Sequence, residues 1–370
     1  MIESHVIATL RTFVDRFLGR GDATITVPPF DGALKPNQLL EKAETVASFA
    51  AAEDITTDGR AIYIADDAAL LRFEAGSTST IRSFDRTISA LCCLPDGRIA
   101  IALAGREVRV FATPSSPHPD TTFAEPSMNA VNALAPRPDG TLVATDGSEM
   151  RTCGQWAYDL MERGHTGRLF SLDIPSGSVR MLASGLHYAF GVCAFDEALL
   201  VGESWRHRLI AVATDGSRRV VLDNLPIYPS RISTAPSGGF WLTAFIARTQ
   251  LVEFVLRENG YRRRMMKEID PQYWIAPKLR SSQSFLEPMQ GAHIKTMGVV
   301  KPWAPPRSYG LVIKLDTEGI PLYALHSRAD GINHGVVAAV EMEGALFALA
   351  KGPRRLLRMP LSMIEQGLRA

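Results

Sequence analysis

The sequence predicts an all-β fold, a single six-bladed β-propeller preceded by an N-terminal helix and carrying a partly helical lid insertion. A turn-then-strand unit recurs six times along the chain. Most copies stand roughly 40 residues apart, the size of a four-stranded blade. From about residue 46 onward, short apolar runs alternate with turns of Asp-Gly type, the pattern of an all-β repeat. Closing such blades into a ring leaves no long open sheet edge.

Taken in order, residues 1–45 read as an N-terminal helix and extended arm, and residues 46–370 as the propeller. Val6, Ile7, Leu10, Phe13, Val14, Phe17 and Leu18 fall at helical spacing, with Arg11, Asp15 and Arg16 on the other side. Gly19 and Gly21 end that helix, and Val27-Pro28-Pro29-Phe30-Asp31-Gly32 reads as loop. The repeats then follow. Asp58-Gly59 precedes Ala61-Ile62-Tyr63-Ile64-Ala65, Asp96-Gly97 precedes Ile99-Ala100-Ile101-Ala102, and Asp139-Gly140 precedes Leu142-Val143-Ala144-Thr145. A decayed fourth copy sits at Asp196-Glu197 before Leu199-Leu200-Val201, a fifth at Ser237-Gly238-Gly239 before Phe240-Trp241-Leu242, and a sixth at Glu343-Gly344 before Leu346-Phe347-Ala348. Two repeats carry insertions, at about 147–166 and 257–308, and long insertions on a rigid scaffold cover or shape a binding mouth. The second, with Tyr273, Trp274, Met289 and Met297, is expected to form the lid.

Charge and cysteine usage narrow the function classes. Forty basic against thirty-nine acidic side chains leave a net charge of +1, so no global field draws in nucleic acid or an anionic membrane. The run Arg262-Arg263-Arg264 with Lys267 lies among Glu253, Glu258, Glu268 and Asp270 and reads as a solvated face. Cys92, Cys93, Cys153 and Cys193 show no metal-ligand spacing, and the adjacent pair does not suit disulfide geometry. Reduced thiols and an N-terminus without signal-peptide character point to a cytoplasmic protein. No GxSxG elbow and no Gly-rich phosphate loop occur.

Four segments carry a resemblance to a family. Gly164-His165-Thr166-Gly167-Arg168-Leu169, Leu182-Ala183-Ser184-Gly185-Leu186, Glu203-Ser204-Trp205-Arg206-His207-Arg208-Leu209 and Asp223-Asn224-Leu225-Pro226-Ile227-Tyr228-Pro229 follow one another in the order and spacing of GRPTGRL, LLDGL, AETxRxRI and DNLPGYPDNI. The chain therefore resembles the strictosidine-synthase-like branch of the superfamily that also holds the gluconolactonases and paraoxonases. That resemblance implies the six-bladed fold. It leaves the chemistry open among lactonases, esterases and a condensing enzyme, because one scaffold hosts several activities.

The start of each innermost strand of a propeller faces the central channel. Eight residues before the turn glycine or its equivalent stand Ser89, Asn132, Phe190 and Arg231, with Glu53 at the matching place in the first blade. In hydrolytic relatives this ring holds a divalent ion such as Ca²⁺, which polarises a carbonyl and activates water. Glu53 and Asn132 match the family's ligands, whereas Phe190 replaces an asparagine of FPNGV, and Ser230 and Arg231 replace both donors of YPDNI. A guanidinium repels a cation, so the metal site is read as degenerate and no cofactor is expected. The condensing branch uses a last-blade glutamate instead; Ala338 stands at that position, with Glu341 nearby.

The expected site is thus Glu53, His187, Arg231 and His334 as catalytic candidates, with Ser89, Asn132, Tyr188, Phe190, Tyr228 and Ser230 lining the substrate. Arg231 would clamp an anionic group while Glu53 or a histidine moves a proton. Alternatively Glu53 and Arg231 form a salt bridge that plugs the channel. Three functions fit: a lactone or ester hydrolase acting on a polar or anionic small molecule, a metal-independent condensing, lyase or isomerase enzyme, and a small-molecule-binding propeller without catalysis.

Overall fold

Six four-stranded antiparallel sheets form the six blades. The computed structural model describes residues 27–280, 295–296, 299–300 and 308–369. The helix expected at residues 6–18, and Met289 and Met297, lie outside the described residues. The blades begin with the inner strands Ala52–Thr57, Ile88–Cys93, Val131–Pro136, Ala189–Phe195, Ile227–Thr234 and Val336–Met342. In the first five, the remaining strands follow outward in chain order. The sixth takes three strands from residues 336–360 and its outermost from Glu44–Ser48, which pairs antiparallel with Arg355–Pro360. The arm expected to end at residue 45 therefore already contains the strand that closes the ring.

Blades pack face to face, which is why their second strands read as unbroken apolar runs rather than alternating ones. Every residue of Ile99–Leu103 and of Phe240–Ala247 is buried. The fourth strands lie outermost, and most residues of Ser77–Ser83 are exposed. Glu341, weighed above as an axial acid, belongs to this packing: its carboxylate accepts hydrogen bonds from the Ser237 amide (2.9 Å), the Ser237 hydroxyl (2.7 Å) and Trp241 Nε1 (2.9 Å), joining blade six to blade five.

One irregularity repeats in all six blades. Near its start each inner strand slips register against the second strand, and the slip passes over Glu53, Ser89, Asn132, Phe190 with Gly191, Ser230 with Arg231, and Val337. A β-bulge leaves a residue out of the ladder and re-aims its side chain. The residues picked out by counting back from the turns are therefore the bulged ones. In blade six the bulged residue is Val337; Ala338 sits in the ladder opposite Leu349. Gly191 is required by the close approach of blade five: at φ +88° a Cβ there would stand 2.3 Å from the Ser230 carbonyl oxygen.

Both insertions form on the same end of the ring. The first lies between Asp146 and Gly167 and holds a 3-10 turn at Cys153–Gln155 and the helix Trp156–Glu162. The second begins earlier than residue 257, because Thr249 caps the helix Gln250–Arg257 and a second helix follows at Asn259–Glu268. The C-terminal helix Leu361–Arg369, absent from the sequence reading, buries Ile364. The arm is pinned to blade five. The Asn37 amide donates to the Ala324 carbonyl oxygen (2.7 Å), Glu41 accepts from the Asn333 amide (2.9 Å), and Phe30 stacks on Tyr309 and meets His326 edge-on.

His326 is fully buried there, and burial pushes its pKa down to about 4. The folded chain keeps the imidazole neutral while the unfolded chain protonates it near its ordinary value, so this group's stability contribution is present at neutral pH and is lost as pH falls from about 6.5 to about 4. Urea unfolding at pH 7 and pH 4.5 is expected to show the fall, up to about 3 kcal/mol from this one residue. In His326→Asn the fall should shrink by that amount; an unchanged pH dependence would rule the histidine out.

Candidate functional site

The side chains released by the bulges meet on the axis. Arg231, from blade five, crosses the channel: its Nη1 donates to the carbonyl oxygens of Glu53 (3.0 Å) and Val337 (3.4 Å), and its Nη2 to that of Ser89 (2.9 Å). Nε lies 3.0 Å from Asp54 Oδ1, and the guanidinium rests 5.1 Å above the Phe190 ring centre. One side chain therefore binds blades one, two, five and six together. Asp54 also accepts the amides of Ile55 and Leu91, each at 2.8 Å. Burial pushes its carboxyl up to about 6, with Arg231 and those amides pulling the other way.

The expected Glu53–Arg231 ion pair is thus corrected: Arg231 takes the backbone oxygen of Glu53 and the carboxylate of Asp54. The bulge is the cause, since it sends the Glu53 side chain toward the mouth, where its Oε2 accepts from Lys351 Nζ. Asp54 and Lys351 were both missed. Asp54 had a signal, a charge inside a buried strand that must find a partner. Lys351 had less, being one cation at the end of the apolar run Ala345–Ala350.

The other candidates divide. Asn132 lines the axial cavity and ties blade three to blade four, donating to the Ala189 carbonyl oxygen (2.9 Å) and accepting from the Thr145 hydroxyl (2.8 Å). Phe190 and Tyr188 form its wall with Trp156, Phe245 and Val337, and Tyr188 holds a left-handed φ of 55° while stacking on Trp205 at 4.4 Å. Ser89 lines the mouth, its hydroxyl accepting the Gly105 amide at 3.1 Å. Above the narrow axial cavity opens a mouth of about 660 Å³, floored by Glu53 and Lys351 and rimmed by Arg280 and Arg354. Cys153 borders both spaces, and burial pushes its thiol up to about 12, which makes it no nucleophile at neutral pH.

Four expected site residues lie elsewhere. Ser230 is buried, with its hydroxyl 2.7 Å from that of Thr243 and 3.3 Å from the Val336 carbonyl oxygen, a staple between blades. Tyr228 is buried and donates to Glu253 (3.2 Å). His334 meets the Ser308 hydroxyl with Nδ1 (2.7 Å) and the Arg328 carbonyl oxygen with Nε2 (2.8 Å), which occupies both ring nitrogens in the wall. His187 opens onto a second, off-axis cavity with His165, its pKa lowered to about 4 first by burial and then by Arg206. Tyr228, His187 and His334 lie outside the bulges, and Ser230, which shares its bulge with Arg231, is held between blades instead of on the axis.

Several residues of the signature segments hold the fold together. Arg168 pins Asp146 (2.5 Å), Glu203 takes both Arg208 (2.5 Å) and the His187 amide (3.0 Å), and a Cβ on Gly164 would stand 2.2 Å from the Asp159 carboxyl. No family model matches the chain. The adipocyte plasma membrane-associated protein of Salmo salar is 25% identical over 249 residues, covering 64% of this chain and 53% of that one; its Homo sapiens counterpart is 23% identical over 299 residues, covering 69% and 71%. An Arabidopsis thaliana strictosidine synthase-like protein is 26% identical over 240 residues, covering 64% and 52%. The chain is a homologue of strictosidine-synthase-like proteins. It spans about half the length of the salmon and Arabidopsis relatives. Among solved structures, a gluconolactonase of Xanthomonas campestris superposes with a TM-score of 0.54 at 14% identity, over 85% of this chain and 88% of that one. A calcium-binding regucalcin of Agrobacterium tumefaciens gives 0.50 at 12%, over 86% and 92%. These two show that the strictosidine-synthase-like homology comes with the gluconolactonase-type propeller fold.

Removing Arg231 leaves Asp54 buried without its cation and four blades without their common donor. Arg231→Met is expected to cost about 3–5 kcal/mol in urea unfolding, and Arg231→Met with Asp54→Asn less than Arg231→Met alone. A ligand clamp would behave differently, losing ligand affinity with an unchanged melting temperature.

Proposed function

We propose that the chain is a small-molecule enzyme of lactone- or ester-hydrolase type, acting on a polar or anionic substrate at the axial mouth without a metal ion, in the cytoplasm. The pairing of Glu53 with Lys351 on the floor of that mouth carries the reading. Hydrolytic relatives place a divalent cation in this ring; here the residues do not fit one. Glu53 is taken by an ammonium, the Asn132 amide oxygen by Thr145, and Arg231 fills the far side. Among the described residues no group of three or more His, Cys, Asp and Glu side chains could hold a metal ion.

In the proposed step Glu53 takes a proton from water as the oxygen attacks the carbonyl carbon. The Lys351 ammonium stabilises the negative oxygen that forms, as fixed positive groups do where charge develops. The carbon–oxygen bond of the ester then breaks, and Glu53 returns the proton to the leaving alkoxide. Arg280 and Arg354 at the rim suit a carboxylate on the substrate or on the ring-opened product. Four free cysteines and a net charge of +1 support a reducing compartment and a small-molecule rather than a nucleic-acid or membrane partner. Among the described residues no helix is long and apolar enough to cross a membrane.

The same basic rim favours a second reading, a propeller that binds an anion and does not turn it over. Acid release from a panel of aliphatic lactones and aryl esters separates the two. Wild type is expected to hydrolyse members of the panel with or without EDTA, and Glu53→Gln to lower kcat by about 100-fold or more. Hydrolysis by Glu53→Gln at the wild-type rate, or activity only after metal loading, would sink the proposal; binding without turnover would leave the second reading.

A further inference from the structure

A cavity of about 1010 Å³ lies off the axis over blade four, between the two insertions. A wall of aromatic rings stands between it and the axial site. Trp205 faces the off-axis cavity, Tyr188 and Phe245 the axial one, and Trp205 packs against them with ring centres at 4.4 and 6.2 Å.

Its lining is strongly and locally basic. Seven arginines stand there against two carboxylates, Asp223 and Glu253, in a chain whose whole net charge is +1. Glu253 is already committed: Arg248 Nε lies 3.1 Å from its Oε1, His207 Nε2 3.3 Å and the Tyr228 hydroxyl 3.2 Å. Arg208 is likewise held by the buried Glu203. Among the other five, Arg163, Arg206 and Arg263 are exposed, make no ion pair among the described residues and stand on three different elements: the helix end of the first insertion, the top loop of blade four and the second helix of the other insertion. Arg262 is buried beside them. Its terminal nitrogens reach Leu256 and Asn259, but its Nε has no hydrogen-bond partner. The basic run at residues 262–264, read from sequence as a solvated face, thus turns two of its arginines into this cavity. The crowding is unfavourable in itself: burial, then the nearby Arg163 and Arg263, lower the pKa of Arg262.

We infer that this cavity is a binding site for a small molecule bearing two or more phosphate groups. Free guanidinium groups converge on it from three directions, and each offers a planar fork matched to phosphate oxygens. A single small anion would satisfy one of them. A concave space of this volume accommodates a molecule that spans them all. The phosphates belong either to a soluble metabolite or to a lipid headgroup, and the chemistry of recognition is shared.

The test uses the full chain and pyrophosphate as probe, by calorimetry and thermal melting at fixed ionic strength. Saturable one-site binding and a raised melting temperature are expected, with affinity falling about tenfold or more in Arg163→Ser/Arg263→Ser, whose two positions are exposed and whose circular dichroism should match wild type. Flotation with phosphoinositide vesicles, lost in the same variant, would support the site and assign the phosphates to a lipid; pyrophosphate binding without flotation would support it and assign them to a soluble ligand. No effect of pyrophosphate beyond that of sodium chloride overturns the inference. So does wild-type affinity in the double variant, or loss of binding in Lys351→Met instead, which would place the anion at the axial mouth. That mouth variant also keeps this result separate from the hydrolase reading, because the two sites fail independently.

Discussion

The Arg231 guanidinium is the point at which blades one, two, five and six become one body. Three backbone carbonyl oxygens and the Asp54 carboxylate converge on it from around the channel. Propeller blades contact chiefly their neighbours, so a ring needs something that couples blades lying across from one another. Here the coupling is covalently attached to blade five, and its charge is matched inside the fold by Asp54. Burying such a pair is no cheap source of stability, since desolvation of both ions offsets most of their attraction. What it supplies is geometry: the fork fixes how far the bulged strand starts stand from one another.

That geometry separates structure from opportunity. With Arg231 and Asp54 occupied by each other below, Glu53 and Lys351 are left facing the mouth. The two insertions then build different rooms over the same ring, the first insertion contributing Trp156 to the axial cavity and Arg163 to the off-axis one. The aromatic stack from Tyr188 to Trp205 stands between the two rooms.

The architecture was legible because a propeller repeats its grammar. Six turn-strand units and apolar second strands reflect constraints that every blade obeys, and the eight-residue count found the bulged residues of blades two to five because the distance from bulge to turn is the same in all four. The site was only half legible. Counting gives the position of a residue on the axis but not the direction in which a bulge turns its side chain, and for that reason Glu53 was paired with Arg231 rather than with Lys351. Ser230, Tyr228, His187 and His334 looked axial from their nearness to the strand mouths. A single intervening residue of extended chain is enough to face the wall. The convergence of the off-axis arginines was hidden for another reason: they come from segments far apart in sequence, and only the packed insertions bring them together.

The strand at residues 44–48 has a further consequence. It is the outer edge of a sheet whose other three strands lie at residues 336–360, so during synthesis it emerges with nothing to pair with until almost the whole propeller has been made. Until then an unpaired strand edge at Arg355–Pro360's future neighbour and an open first blade both face solvent, the kind of exposure that invites misassociation. The arm offers contacts that can form earlier. Asn37 and Glu41 bind partners at residues 324 and 333, which are made before the strands of blade six, and in the finished fold these contacts hold the closing strand beside its place in the ring.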